Sequence, residues 1–305
     1  MTELGKKWNR DLRKNGQSYL MALPAVVLLF IFSYIPMYGL TVAFMDHKPG
    51  MDFFASKWVG LAHFKSFFSS VFAYRVIRNT LLISLYSFIF GFPLPILFAL
   101  MLNEVKHKGY KKTVQTISYM PYFISTVVVC GILKEFLSYE GVVAKIANML
   151  FGSQPQNYLS NASYFRTILI ASDIWQGLGW GSIIYLAALS GVDMELYDSA
   201  KIDGAGRIKQ IIHVTLPGIL PTIITLMILH VGSLLSVETD KILLLYGPMT
   251  YETGDVIGTY VYRRGLIDHQ YSFSAAIGLM NNVMNVILLV SANWICRRAS
   301  GESLW

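Results

Sequence analysis

Apolar positions along this chain fall in long runs. Six stretches, about 19–40, 79–102, 114–137, 165–190, 216–236 and 273–296, are predominantly hydrophobic, and polar residues gather in the segments between them. A bilayer core about 30 Å thick takes roughly 20 helical residues at 1.5 Å rise each, so every run is long enough to cross it. The pattern predicts an all-α polytopic membrane protein of six transmembrane helices, with residues 1–305 forming one transmembrane domain. The outer segments, about 41–78 and 237–272, are too short to build much of a core of their own. Within the first of them, "WVGLAHFKSFFSSVF" at 58–72 places aromatic and aliphatic residues at helical spacing. It reads as an amphipathic helix on the outer membrane face or packed on the bundle.

Composition agrees with that class. Apolar residues make up 54% of the chain and charged residues 14%, where a soluble domain carries nearer a quarter charged. The basic residues set the orientation. Fourteen of the 25 lie in four segments on one side: Lys6, Lys7, Arg10, Arg13 and Lys14; Lys106, Lys108, Lys111 and Lys112; Lys201, Arg207 and Lys209; Arg297 and Arg298. The positive-inside rule therefore places both termini and loop 191–214 in the cytoplasm, as a multi-pass membrane protein. Arg75 and Arg78, just before the second run, fall on the opposite side. The net charge of +7 needs no nucleic acid, because basic flanks meet anionic lipid. The first run exceeds a signal-peptide core and has no clear cleavage site, so it reads as a retained anchor.

Enzyme chemistry finds little support. Cys130 and Cys296 both lie inside apolar runs, near opposite ends, which argues against a disulfide framework and for packing roles. The six histidines are scattered singly. No P-loop, G-x-S-x-G or H-E-x-x-H motif occurs, and "GAG" at 204–206 follows a helix instead of a strand. Neither a catalytic residue nor a metal ligand is assigned.

The most distinctive polar stretch is "LYDSAKIDGAGRIKQIIHVTLP" at 196–217, inside loop 191–217. Asp193 is a helix cap, with Glu195 in the first turn where the dipole favours an acid. Leu196, Ala200 and Gly204 repeat on one face. Gly204 suits a left-handed stop, giving a helix of about ten residues. A second short helix is expected over 207–214. Pro217 and Pro221 would then lie in the first turns of the next span, where proline is tolerated. On spacing alone, an ordinary solvated loop with an interfacial helix fits as well as a docking element.

The order of residues adds more. Asp198, Ser199 and Ala200, three residues, Gly204, nine residues, then Val214, Thr215, Leu216 and Pro217 resembles the EAA loop of permease subunits of binding-protein-dependent ABC importers. That pattern is E-A-A, three residues, G, nine residues, I-x-L-P, with Asp198, Ser199 and Val214 as mild departures. "PMYGLTVAF" at 36–44, "PYFISTVVV" at 121–129, "YETGDVIGTYVYRRGL" at 251–266 and the terminal "SGESLW" look like the LplB-like, carbohydrate-uptake branch. The resemblance implies a six-span type I importer permease with a cytoplasmic coupling helix between spans 4 and 5. It implies ATPase-coupling roles for Asp198, Ser199, Ala200, Asp203, Gly204, Leu216 and Pro217. It also implies two cytoplasmic ABC ATPase subunits, a second homologous permease chain and an extracellular or periplasmic solute-binding protein as partners. No cofactor is expected on this chain; ATP and Mg belong to the ATPases. The cargo implied is an oligosaccharide or polysaccharide fragment.

A sugar path needs polar and aromatic groups at membrane depth. The last run offers Ser274, Gly278, Asn281 and Asn285 at helical spacing, with Asn282 adjacent; the fourth offers Asp173, Trp175, Gln176 and Trp180. Inter-helix hydrogen bonding and interfacial aromatic belts are the competing uses. Segment 236–266, with its acids, aromatics and paired Arg263 and Arg264, is expected outside, either meeting a binding protein or as a solvated loop. Two other functions stay open. An importer of a non-sugar solute shares the EAA loop. A self-sufficient secondary carrier would show inverted repeats and intramembrane coupling charges.

Overall fold

A computed structural model describes residues 3–305; the side chains of residues 3–10, 12, 13 and 54 lie outside that description, and with them Lys6, Lys7, Arg10 and Arg13 of the basic N-terminal cluster. Thirteen helices carry the architecture and are numbered as follows. α1 is Lys14–Phe44, the end of a helix that begins at Glu3. α2 is Ala62–Phe68 and α3 is Ala73–Glu104. α4 (Lys108–Phe123) and α5 (Thr126–Phe136) form a bent pair, followed by α6 (Val142–Phe151), α7 (Ala162–Ser190) and α8 (Met194–Ile202). α9 is Arg207–Gly232. Three short helices, α10 (Thr239–Leu245), α11 (Tyr251–Gly254) and α12 (Ile257–Tyr262), precede α13 (Tyr271–Ser300). A two-stranded antiparallel ribbon, Met45–Asp46 with Lys57–Trp58, closes the loop between α1 and α2.

By length and composition α1, α3, α9 and α13 are able to cross a membrane, and the α4–α5 pair makes a fifth crossing if its halves count as one. α7 has ample length at 29 residues. Its apolar run is diluted by Arg166, Asp173, Gln176, Gly177, Gly179 and Gly181. The last half of α3 and all of α4 pack along α7, and α9 packs along α13. No residue in the hydrophobic window of α1 is buried by the described residues of this chain, although its last turns pack against α13.

Prolines explain three of the four π-helical turns among the described residues; the fourth, Arg263–Ile267, precedes no proline. Three π-helical turns, Phe30–Tyr34, Ser87–Gly91 and Ile211–Thr215, each end two residues before a proline: Pro36, Pro93 and Pro217. A proline inside a helix has no N–H to donate, and its ring crowds the carbonyl four residues back; a widened turn relieves both. α3 and α9 thereby remain continuous. This corrects the expectation of a separate helix over 207–214: the turn after Gly206 runs directly into the fifth span, with Pro217 in its interior.

The third run, expected as one helix over 114–137, is instead broken by 97° between α4 and α5. Pro121 begins a tight turn, Ile124 and Ser125 are extended, and the Ser125 hydroxyl accepts the Val128 N–H at 3.4 Å as the cap of α5. Backbone freed at a break needs partners away from water. The Ile124 carbonyl accepts the Gln176 side-chain amide at 3.0 Å.

Segment 236–266, for which a solvated loop was one of two expectations, instead supplies part of the bundle core. Lys241, Ile242, Asp255, Val256, Thr259 and Tyr260 are all buried. Ile242, Leu245 and Val256 join Ile83, Cys130, Phe165 and Leu169 in one apolar cluster; Ile257 and Tyr260 join Phe67, Val76 and Ile277 in another. Phe67 anchors α2 there, so the amphipathic helix expected over 58–72 packs on the bundle. Both cysteines are free and buried, as packing residues would be. At the other end, Ile96, Ala99, Leu100, Tyr185, Leu189 and Ile219 form the core between α3, α7 and α9.

Candidate functional site

The loop after α7 is built from the residues singled out in the sequence. Asp193 is extended at φ −62°, ψ 127°, and its carboxylate accepts the Glu195 N–H at 2.9 Å, capping α8. Gly204 ends the helix at φ +72°, the left-handed position. The Ala205 N–H reaches the Ala200 carbonyl at 2.9 Å and the Gly204 N–H reaches Lys201 at 3.0 Å, the two bonds of a Schellman stop. All nine residues of α8 are at least partly exposed. Leu196, Ile202 and Ile208 turn large apolar side chains to the outside.

A groove of about 510 Å³ runs between α8 and the start of α9. Its lining includes Ser199, Ala200, Asp203 and Pro217, four of the seven predicted coupling residues. The others sit differently. Asp198 forms an exposed 2.8 Å pair with Lys201, Gly204 is at the turn, and Leu216 packs into the core below. The Ser199 hydroxyl donates back to the Glu195 carbonyl at 2.9 Å.

A link that sequence reasoning missed ties α8 to α9. The Tyr197 hydroxyl meets the buried Thr215 hydroxyl at 2.9 Å, and Thr215 also donates to the Gln210 carbonyl at 3.3 Å. Thr215 lies at the end of the π turn, so the link joins α8 to the point where α9 is least regular. Two hydroxyls eighteen residues apart leave no periodic trace.

The intramembrane candidates separate into three groups. Asp173 and Gln176 converge on Lys241 of α10: the ammonium donates to the Asp173 carboxylate at 2.5 Å and to the Gln176 carbonyl oxygen at 3.3 Å, with the lysine fully buried. Asp173 also borders a cavity of about 440 Å³ between α3, α7 and α9, whose wall is mostly apolar but includes His230 and Ser233. Trp175 is half exposed on the outside of the chain. Asn285 is buried, accepting the Leu235 N–H at 3.0 Å and donating to the Ser236 hydroxyl at 2.9 Å, while Asn281 donates to the Leu235 carbonyl at 3.3 Å. These two asparagines brace the turn after α9. Asn282 is exposed and borders, with Asn281, a cavity of about 230 Å³. Trp180 stacks on Tyr122 at 4.7 Å beside the α4–α5 break.

A second polar cluster lies around the N-terminal ends of α3 and α12. Asp255, fully buried, receives Arg75 at 2.9 Å, Arg263 at 2.9 Å and the Thr259 hydroxyl at 2.9 Å. Asn79 donates to the Glu252 and Asp255 carbonyls at 2.9 and 3.0 Å and accepts Arg166 at 2.7 Å. Burial alone would lower the pKa of Arg263, but the bonded Asp255 carboxylate outweighs it and raises the value. Arg75 is thus held by a structural ion pair, which gives this basic residue a role other than setting orientation. The signal available in sequence was the acid of "GDVIGTY" amid an otherwise apolar run. Among the described residues, no group of three or more His, Cys, Asp or Glu is arranged to hold a metal.

Comparison with known proteins places this architecture. Residues 91–301 match the family described as binding-protein-dependent transport system inner membrane component. The protein LplB of Bacillus subtilis strain 168 is 39% identical, over 99% of this chain and 95% of its own length. The polygalacturonan/rhamnogalacturonan transport system permease protein YteP of the same strain is 38% identical, over 94% of this chain and 89% of its own. Among solved structures, a chain of a bacterial ABC transporter that imports the acidic polysaccharide alginate is 42% identical. It superposes with a TM-score of 0.88, covering 96% of this chain and 99% of the other. The all-α fold, the membrane-crossing helices and the capped loop between α7 and α9 are those of a transport permease, and the chain belongs to the inner membrane components of binding-protein-dependent ABC transport systems.

Proposed function

We propose that this chain is a permease subunit of an ATP-driven importer that carries an oligosaccharide or polysaccharide fragment across the cytoplasmic membrane. The observation that carries the mechanism is α8: capped at both ends, stapled to α9 through Tyr197 and Thr215, and docked against little within its own chain. A short rigid helix with an open groove beside it transmits force only when something else grips it. In this reading Asp198, Ser199, Ala200, Asp203, Gly204 and Pro217 meet a cytoplasmic ATPase subunit, and Leu216 seats the helix on the core. ATP and Mg act on two such ATPases, whose closure moves α8 as a rigid body and tilts α9, one arm of an alternating-access switch.

The remaining architecture follows from the same reading. Residues 1–305 form one permease domain with six crossings and both termini cytoplasmic. α7 supplies the sixth crossing; its 29 residues would extend about 44 Å, ample for a 30 Å core. Its polar residues face the bundle interior, where Asp173 and Gln176 border the path and Asn282 is the asparagine of α13 left open to it. The uncovered α1 and the exposed Trp175 suit lipid and a second permease chain. A sugar cargo and an external binding protein are supported by the relatives: YteP is named for pectic polysaccharides, and the alginate transporter has been solved in complex with a pentasaccharide-bound periplasmic protein.

The test is gentle purification of the tagged chain from its native membrane, with mass spectrometry of what accompanies it. A P-loop ATPase and a second permease should co-purify. A chain that emerges alone, and moves solute in vesicles without ATP, overturns the reading in favour of a secondary carrier.

A further inference from the structure

A cavity of about 350 Å³ opens among the outer ends of α3, α11 and α12, apart from the bundle cavity that Asp173 borders. Arg75, Arg263 and Arg264 project into it, and Phe72, Tyr251 and Tyr260 form its ring-bearing wall. The guanidinium groups lie over those rings: Arg75 over Phe72 at 5.2 Å, Arg263 over Tyr251 at 5.4 Å, Arg264 over Tyr260 at 5.5 Å. Such contacts hold the cations in place without neutralising them.

The charges at this cavity do not balance. Two arginines, Arg75 and Arg263, share the single buried carboxylate of Asp255, and Arg264 pairs with Asp268 at 3.1 Å. Three cations therefore face two anions. Hydrogen-bonding capacity is also left over: the Arg75 Nε is buried and has no acceptor among the described residues. A buried donor without an acceptor is costly and is usually matched when the site is filled. An anion with two oxygens would satisfy both deficits, since guanidinium groups bind carboxylates in a planar, two-pronged fashion. The aromatic wall adds a second requirement, a flat, partly apolar body. The volume is that of a small-ligand pocket, enough for about one sugar ring.

We propose that this outer cavity is a recognition site for a hexuronate unit, in which Arg75 and Arg264 take the carboxylate and Tyr251 and Phe72 contact the sugar ring. The proposal rests on the oligosaccharide-importer reading and sharpens it: the cargo carries negative charge, and this chain reads it directly at the outer face. A lipid phosphate could satisfy the same cations, but it has no ring to set against the aromatic wall.

The experiment places the native complex in nanodiscs of purely zwitterionic lipid and measures binding of trigalacturonate and of its neutral counterpart, galactotriose, by saturation-transfer NMR. ATP-driven uptake of both is followed in parallel. Trigalacturonate should bind at least tenfold more tightly than galactotriose. Arg264→Gln, which removes only a part-exposed pair with Asp268, should weaken trigalacturonate binding about tenfold, the scale of one charged hydrogen bond, and Arg264→Lys should recover part of it. Equal binding of the two sugars, or unchanged binding in Arg264→Gln, overturns the site while leaving the importer reading intact. So does retention of an anionic lipid whose loss tracks the same variant. Carboxylate-selective binding without ATP-driven uptake of either sugar keeps the site and removes the importer reading.

Discussion

Gly204 offers the sharpest test of α8 as a force-bearing element. Its φ of +72° lies in the left-handed region, and a Cβ added there would meet nothing within 4 Å. A substitution therefore acts on the backbone and not through a clash inside this chain. An L-residue held in that region costs about 1–2 kcal/mol, more when β-branched, whereas asparagine visits it readily. Gly204→Val should thus lower the ratio of intact to open helix stop by roughly 5- to 30-fold, since about 1.4 kcal/mol is a factor of ten. Gly204→Asn should leave it nearly whole. Ala205 and Gly204 would surrender their bonds to Ala200 and Lys201, freeing the end of α8. The assay is the ratio of ATP hydrolysed to sugar taken up by proteoliposomes holding the full complex. The valine variant should hydrolyse ATP with little uptake, and the asparagine variant should stay near the parent ratio. A parent-like ratio in Gly204→Val refutes the reasoning. Equal loss in both variants would shift the cause from backbone strain to a contact that tolerates no side chain.

Three other perturbations probe separate contacts. Tyr197→Phe removes the 2.9 Å link to Thr215, worth about 1 kcal/mol, and should raise hydrogen exchange in α8 and lower coupling without unfolding the bundle. Lys241→Met strands Asp173 without its cation and should cost about 3–5 kcal/mol in thermal denaturation, while Lys241→Met combined with Asp173→Leu recovers most of it. Asn285→Leu leaves the Leu235 N–H unsatisfied and should cost about 1–3 kcal/mol of stability, whereas Asn282→Leu, at an exposed position, should leave the melting temperature unchanged and alter uptake kinetics.

What was legible in the chain follows a physical division. Runs of apolar residues report an environment that is uniform along the helix, so five of the six stretches correspond to continuous helices and the third to a bent pair. The caps Asp193 and Gly204 are local features, and both act where the sequence placed them. Consequences of missing N–H groups were half visible. Pro217 and Pro221 stood out and Pro121 did not, because whether a proline breaks a helix, as at α4–α5, or widens one turn, as at Ile211–Thr215, depends on neighbours such as Gln176 that supply substitute partners. Long-range polar pairing was hidden. Arg75 and Asp255 are 180 residues apart, and Asp173 and Lys241 are 68 apart; each half reads as an isolated charge until the fold brings it to its partner. For that reason a solvated loop stayed open for the segment holding Lys241 and Asp255, which in fact packs into the core. The asparagines illustrate the same limit: three adjacent candidates on one helix divide into two that brace a turn and one that stays open.

The central claim is that ATP-driven work reaches this chain through α8, and a reversible cross-link tests it most directly. A Ser199→Cys variant, in a background where the buried Cys130 and Cys296 are replaced by alanine, is treated in the native complex with a short thiol-to-amine linker that reduction cleaves. The account predicts a covalent adduct with an ATPase subunit and arrest of sugar uptake while the link is intact, both reversed by reduction. A complex that transports normally yet gives no ATPase adduct, or whose uptake continues with the adduct fully formed, contradicts it.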